Sequence, residues 1–379
     1  MQQKTTVDCH PALGIGRLLN EFEKSIKFQA RHPMFKYQTN AAPQPVIQAL
    51  KAAKEIVVVG LGGSILPLRS LVDIHRRAES IFYLDTVDSL TVARVFQKLT
   101  NPIFCIVSKS GQTLEIQVLL EEIRKRFGDS KILAVTDPKA GKLRSLAYEK
   151  NWLSLSIPPE IGGRFTHFTD FHRAILESWG ISINPLAERA RKKIAELTLN
   201  PEPLDLLRRM LFDEKVAHQI FWHYGSAREG MALWMQQVLA ESLGKTATDG
   251  LRRGVLPTVL AGPQAQHSVL QLLMDGPQNS TLWFLEPDAP ASSSTLDQAL
   301  WVLCEATKRS FLERLADAKT SQSVIASPLS SIEDAVDLIV ILQALVEYSA
   351  DVFKINAFDQ PGVERGKTIA RELWSSPTP

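Results

Sequence analysis

The chain has 379 residues, 45% of them hydrophobic, which allows two domains of ordinary size with substantial cores and excludes a disordered chain. Its 43 basic and 41 acidic side chains leave a formal charge of +2, so no global field selects a polyanion or an acidic membrane surface. Cys9, Cys105 and Cys304 are odd in number and far apart, which argues against a disulfide framework and for a reducing compartment.

Lys4, Asp8 and His10 interrupt the N-terminus, so no secretory leader is expected there. No apolar run approaches the roughly 18 to 20 residues that cross a bilayer. The expected compartment is the cytoplasm, with neither nucleic acid nor membrane as a partner.

After a mixed arm, residues 55 to 160 alternate short apolar runs with amphipathic segments. Strands are predicted from Glu55 to Gly60, Ile81 to Leu84, Ile103 to Val107, Ile132 to Thr136 and Trp152 to Ile157. Continuous apolar strands separated by helix-length segments indicate a parallel sheet covered on both faces, because crossover helices bury each strand on two sides. A connecting helix is predicted from Pro185 to Thr198, ended by Asn200, Pro201 and Pro203. Beyond it the alternation resumes with weaker strands from Ile220 to Tyr224, Leu256 to Leu260, Leu282 to Leu285 and Ser323 to Ala326. Pro287 to Thr295 reads as a surface loop, residues 332 to 350 as an apolar helix and Gly362 to Leu373 as a terminal helix. The fold class is therefore α/β, with two doubly wound parallel-sheet domains, each an αβα sandwich.

Four motifs stand at predicted strand ends or helix faces. Gly60-Leu-Gly62-Gly63-Ser64 follows the first strand and opens a helix, so Gly63 and Ser64 are candidates to meet a ligand at close range. The dinucleotide fingerprint needs a third glycine where this chain has Ile65, which disfavours a nicotinamide cofactor. Ser108-Lys109-Ser110-Gly111-Gln112-Thr113 gathers three hydroxyls and an ammonium on a turn suited to phosphate, without the order of a Walker loop. Gly162-Gly163-Arg164 can fold tightly and project a guanidinium into a cleft. On the predicted helix from Glu229 to Leu243, Gln237 and Glu241 share a face, and apolar neighbours would partly desolvate the carboxylate, which suits a base. Each motif alone also has a plain structural reading as a tight turn, a helix cap, a surface arginine or a solvated glutamate.

Taken together the motifs resemble the glucose-6-phosphate isomerase family, whose sugar-isomerase domains share the doubly wound fold. Gln266-His267-Ser268 resembles the family's ring-opening histidine segment, and the run from Asn356 through Gln360-Pro-Gly362-Val-Glu364 to Lys367 its C-terminal signature. All six motifs follow the family's order. The resemblance implies interconversion of glucose 6-phosphate and fructose 6-phosphate, with Glu241 as the base, His267 and Lys367 opening the ring, and Arg164 stabilising the enediolate. Gln237 and Gln360 would position the sugar, Gly63 and Ser64 line it, and Ser108, Lys109, Ser110 and Thr113 hold the phosphate.

The other seven histidines show no metal-ligand spacing, His167 and His172, like His218 and His223, being five apart, so no metal or organic cofactor is expected. The resemblance further implies a homodimer in which His267 reaches the site from the neighbouring subunit. It divides the chain into an arm (1–44), a first sugar-isomerase domain (45–184), a connecting helix and linker (185–203), a second domain (204–350) and a C-terminal active-site segment with its helix (351–379). Ser110-Gly111-Gln112 and Ile116 depart from the family's threonine-rich stretch, which implies fewer or rearranged phosphate contacts. Gly111-Gln112-Thr113 is also similar to the bifunctional phosphoglucose/phosphomannose isomerases, which keeps mannose 6-phosphate open as a second substrate. A non-catalytic sugar-phosphate sensor is the rival reading, but it has no need of Glu241, His267 and Lys367 together.

Overall fold

In the computed structural model, residues 27–36, 42–290, 294–317 and 322–375 are described, so Cys9 and most of the predicted arm lie outside them. Two parallel sheets form the frame. The first contains β1 (Glu55–Val59), β2 (Ile81–Leu84), β3 (Pro102–Val107), β4 (Ile132–Thr136) and β5 (Leu153–Ser156), in the order β2-β1-β3-β4-β5. The second contains β6 (His218–His223), β7 (Leu256–Ala261), β8 (Ser280–Glu286) and β9 (Ser323–Pro328), in the order β7-β6-β8-β9. Every pairing is parallel.

The apolar runs explain this. All residues of β3 and β4 are buried, as expected of strands covered on both faces. In each sheet the order reverses beside the first strand, between β1 and β3 and between β6 and β8. At such a point the loops leaving two adjacent strands diverge to opposite faces and open a crevice at the carboxyl ends.

The helix Ile332–Phe353 lies between the sheets with most of its residues buried, packed against the helices Ile183–Leu199 and Glu229–Leu243. Its start is set by a capping box between Ser331 and Asp334. The helix Ile183–Leu199 is slightly longer than predicted, and a further helix, Glu202–Phe212, begins almost at once. Pro203 sits in the first turn of that helix, where its missing N–H costs nothing. The predicted loop after β8 gives way at Thr295 to a long helix, Thr295–Asp317, that the sequence reading did not mark. No helix among the described residues is long and apolar enough to cross a membrane.

The two domains meet where the helix Leu66–Val72 crosses the helix Glu229–Leu243. Gly230 permits this approach, since a Cβ there would stand 2.5 Å from Asp73 Oδ2 and 2.6 Å from Arg69 Cβ. Arg69 reinforces the crossing by pairing with Asp73 at 3.0 Å and, across the domain contact, with Glu229 at 2.8 Å. Tyr83 donates to the other oxygen of Asp73 at 2.6 Å. A Gly230→Ala substitution should force the helices apart and lower stability by about 1–3 kcal/mol, as overpacking does; urea unfolding measures this, and an unchanged midpoint would show that the crossing yields freely.

Candidate active site

The crevice at the β1/β3 reversal gathers three loops. The turn after β1 carries Gly62, Gly63 and Ser64, and that after β3 carries residues 108 to 113. The strap beyond β5 brings in Gly163 and Arg164. A Cβ on Gly63 would stand 2.6 Å from Arg164 N and 2.8 Å from Gly163 C, so the first and third loops touch backbone to backbone only because this residue is glycine.

In the loop after β3, buried Ser108 accepts from Gly111 N at 3.1 Å, and Ser110 Oγ accepts from Gln112 N at 3.2 Å. Thr113 precedes the helix Leu114–Phe127 but makes no side-chain cap, so its hydroxyl and the first N–H groups of that helix are open to an anion. Lys109 Nζ donates to the carbonyls of Pro159 at 2.6 Å and Ile161 at 3.2 Å. An ammonium has three donors, so one remains for a ligand.

Arg164 is 3% exposed rather than projected freely into the cleft. Its Nε donates to Ser242 Oγ at 2.8 Å. Its Nη1 donates to Glu241 Oε2 at 3.2 Å and Gln360 Oε1 at 2.9 Å. Its Nη2 donates to the carbonyls of Ala357 at 2.5 Å and Asp359 at 3.2 Å. Five donors thus meet five acceptors, and of these only the Nη1 contacts are with side chains that line the cleft. Burial pushes the guanidinium pKa down, partly opposed by Glu241 and Asp359.

Glu241 lies on the helix Glu229–Leu243, its side chain 34% exposed. Gln237, one turn earlier, donates to its Oε1 at 3.0 Å, while the amide oxygen Gln237 Oε1 has no partner. Lys245, given no role by the sequence reading, donates to the carbonyl of Asn356 and to Asp359 O at 2.6 Å and Oδ1 at 2.7 Å. The Lys245 hydrogen bond holds the Asp359 carboxyl below its usual range. His32 stacks on Phe358 with centroids 3.7 Å apart, and burial with the nearby Arg164 charge pushes its imidazole down to about 4. His32 from the N-terminal side, Arg164 from the strap after β5 and Lys245 just past a helix end therefore pin the loop that carries Gln360.

A cleft of about 800 Å³ is lined by Gly63, Ser64, Ser108, Lys109, Ser110, Thr113, Arg164, Gln237, Glu241, Gln360 and Lys367. Lys367 stands on the exposed terminal helix Glu364–Ser375 and pairs with Glu364 at 2.8 Å. His267 is not among the lining residues; it is exposed, just past the helix Gly262–Gln266. Among the described residues no group of three or more His, Cys, Asp or Glu side chains could hold a metal ion.

Behind the strap lie His167 and His172, both buried. Ser70 gives its proton to Pro67 O at 3.0 Å and therefore accepts from His167 Nε2 at 2.9 Å, which leaves Nδ1 to accept from Gln343 at 3.1 Å. Burial pushes the His172 pKa down to about 3 and that of His167 well below 6.5. Unfolding frees both rings to take up protons below about pH 6.5, so the unfolded state binds more protons and stability falls on acidification. The loss begins near the unfolded value and continues down to each folded one, at about 1.4 kcal/mol per pH unit for each ring. Urea unfolding at pH 6.5, 5.5 and 4.5 should show this slope, and a His167→Gln variant should have a shallower one. An equal slope in the variant would mean that this ring is already charged in the folded protein.

No protein-family model matches the chain. Among curated proteins it is 29% identical over 346 residues to a glucose-6-phosphate isomerase of Thermus thermophilus, covering 84% of this chain and 83% of that one. It is 30% identical over 363 residues to the enzyme of that name from Campylobacter jejuni, covering 87% of each. Its fold superposes on the crystal structure of a glucose-6-phosphate isomerase from Chlamydia trachomatis with a TM-score of 0.71, over 87% of this chain and 71% of that one; at 19% identity this is a likeness of fold. With the parallel-sheet frame, the crevice at its reversal point and a near full-length relative at 30% identity, the chain belongs to the glucose-6-phosphate isomerase family.

Proposed function

We propose that this chain is an aldose-ketose isomerase that interconverts D-glucose 6-phosphate and D-fructose 6-phosphate. One observation carries the reading: Glu241, held by Gln237 and Arg164, shares a single cleft with the hydroxyl-rich loop after β3. A carboxylate suited to move a proton between adjacent carbons is thereby set apart from, yet within reach of, a grip for a phosphate.

In this reading Ser108, Ser110, Thr113 and the third donor of Lys109 hold the phosphate, while Gly63 and Ser64 line the sugar. Ring opening breaks the bond between C1 and the ring oxygen. The partner subunit's His267 delivers a proton to that oxygen, and the anomeric hydroxyl, hydrogen-bonded by Lys367, passes its proton to a solvent water, so that C1 becomes an aldehyde. Glu241 then removes the proton from C2, and negative charge develops on O1, where Arg164 Nη1 stabilises it in place of its present contacts. The proton on O2 moves to O1, the carboxyl returns its proton to C1, and the ketose is formed. The unpartnered amide oxygen of Gln237 and the side chain of Gln360 position the hydroxyls. Phosphate contacts far from the reacting carbons supply binding energy, and the guanidinium acts where charge appears.

The proposed assembly is a homodimer. Its support is the exposed His267 outside the cleft, together with the terminal helix beside the cleft, whose Leu373 and Trp374 are exposed. A cytoplasmic location belongs to the same reading, consistent with the free, buried thiols of Cys105 and Cys304.

Fructose 6-phosphate given to the purified protein in deuterated water should yield glucose 6-phosphate labelled at C2, with mannose 6-phosphate run alongside to test breadth. Glu241→Gln should lose at least ~100-fold in kcat while still binding substrate, as expected on removing a positioned base; near-normal turnover would sink its role. For the assembly, mixing Glu241→Gln with His267→Ala protomers should restore activity through hybrid sites. Persistent inactivity after verified subunit exchange would count against a shared site.

A further inference from the structure

Past Arg164 the chain turns through Thr166 and Thr169 into the helix Asp170–Ser178, and Thr166, Thr169 and His172 line the same cleft. The Thr166 hydroxyl is already spent, donating to Gly163 O at 2.9 Å. The Thr169 hydroxyl makes no cap on its helix and instead meets His172 Nδ1 at 3.1 Å. His172 is 2% exposed and neutral, so its ring carries a single N–H. Its Nε2 has no partner.

That orphaned nitrogen decides the tautomer. A buried N–H without an acceptor is rarer in folded proteins than an unfilled lone pair, so the proton belongs on Nδ1 and the bare Nε2 faces inward. Thr169 Oγ1 then accepts from the ring. Its own proton has no acceptor among the described residues, and its side chain lies on the cleft wall.

We propose that His172 is a positioning residue that fixes Thr169 as a hydrogen-bond donor to an oxygen of the bound sugar phosphate. This adds a contact to those assigned above and rests on the isomerase reading only for the ligand's identity. Phosphate and sugar hydroxyl offer the same acceptor chemistry, and two arms of the test distinguish them.

Long-range proton–nitrogen spectra of the wild-type protein labelled at histidine nitrogens read the tautomer directly, with the His172 signal assigned by its absence in His172→Asn. The proton is expected on Nδ1; finding it on Nε2 would overturn the proposal. Calorimetry then gives Kd for fructose 6-phosphate and for inorganic phosphate. Thr169→Val and His172→Leu should each weaken fructose 6-phosphate roughly 3- to 10-fold, the effect of one hydrogen bond. His172→Asn should restore wild-type affinity, because its side-chain amide can donate from the position of Nδ1, whereas a merely structural role would leave asparagine no better than leucine. Equal weakening of inorganic phosphate in Thr169→Val puts the bond on the phosphate, and weakening of fructose 6-phosphate alone puts it on a sugar oxygen. Unchanged affinity for both ligands in Thr169→Val refutes the proposal. A wild-type protein that binds these ligands without interconverting the sugars would end the isomerase reading and leave this one standing.

Discussion

The site depends on one buried guanidinium whose five N–H donors are matched to five acceptors. Arg164 joins the strap after β5 to Ser242 and Glu241 on a helix of the second domain and to Ala357, Asp359 and Gln360 near the C-terminus. A buried charge is tolerated only when it is paired and fully hydrogen-bonded, so this arrangement is close to all-or-none. A lysine would offer three donors from one point and could not span the same acceptors. The peptide behind the guanidinium is held as well, since Trp234 donates to Arg164 O at 2.8 Å and Gly63 lies against its nitrogen.

Around that centre the work is divided between the domains. The β1/β3 reversal supplies loops with free donors at their tips, suited to a dianion, while the second domain supplies the carboxylate on a rigid helix. The crossing at Gly230 sets how far the two lie from each other. Because Glu241 sits on a helix packed into the core, its geometry is held by many apolar contacts rather than by a mobile loop.

The C-terminal segment is attached differently. Lys245 and Arg164 hold its first turn through carbonyls, and His32 covers Phe358 from the N-terminal side. Past Gln360 the terminal helix Glu364–Ser375 is exposed along nearly its whole length, although Lys367 lines the cleft. A helix with an apolar side and so little cover within its own chain fits the proposed partner subunit, which would also bring His267 to the site.

Strand and helix types were legible from local pattern alone, because continuous apolar runs and turn residues act over a few positions. The five strands of the first sheet and the helix Glu229–Leu243 are found within a residue or so of where the pattern puts them. The helix Thr295–Asp317 was not marked, for the polar run before it reads as loop and several apolar residues on it stay exposed, among them Leu296 and Val302. Eleven of the twelve candidate site residues line one cleft, and their identity came from motif order rather than from any single spacing. What sequence could not reveal were contacts between side chains remote along the chain. These include the full enclosure of Arg164, the roles of Lys245 and His32, and the pairing of Thr169 with an orphaned His172. Periodicity records which face of an element is apolar; only packing decides which donor meets which acceptor, because hydrogen bonds and burial depend on distances that tertiary structure alone sets.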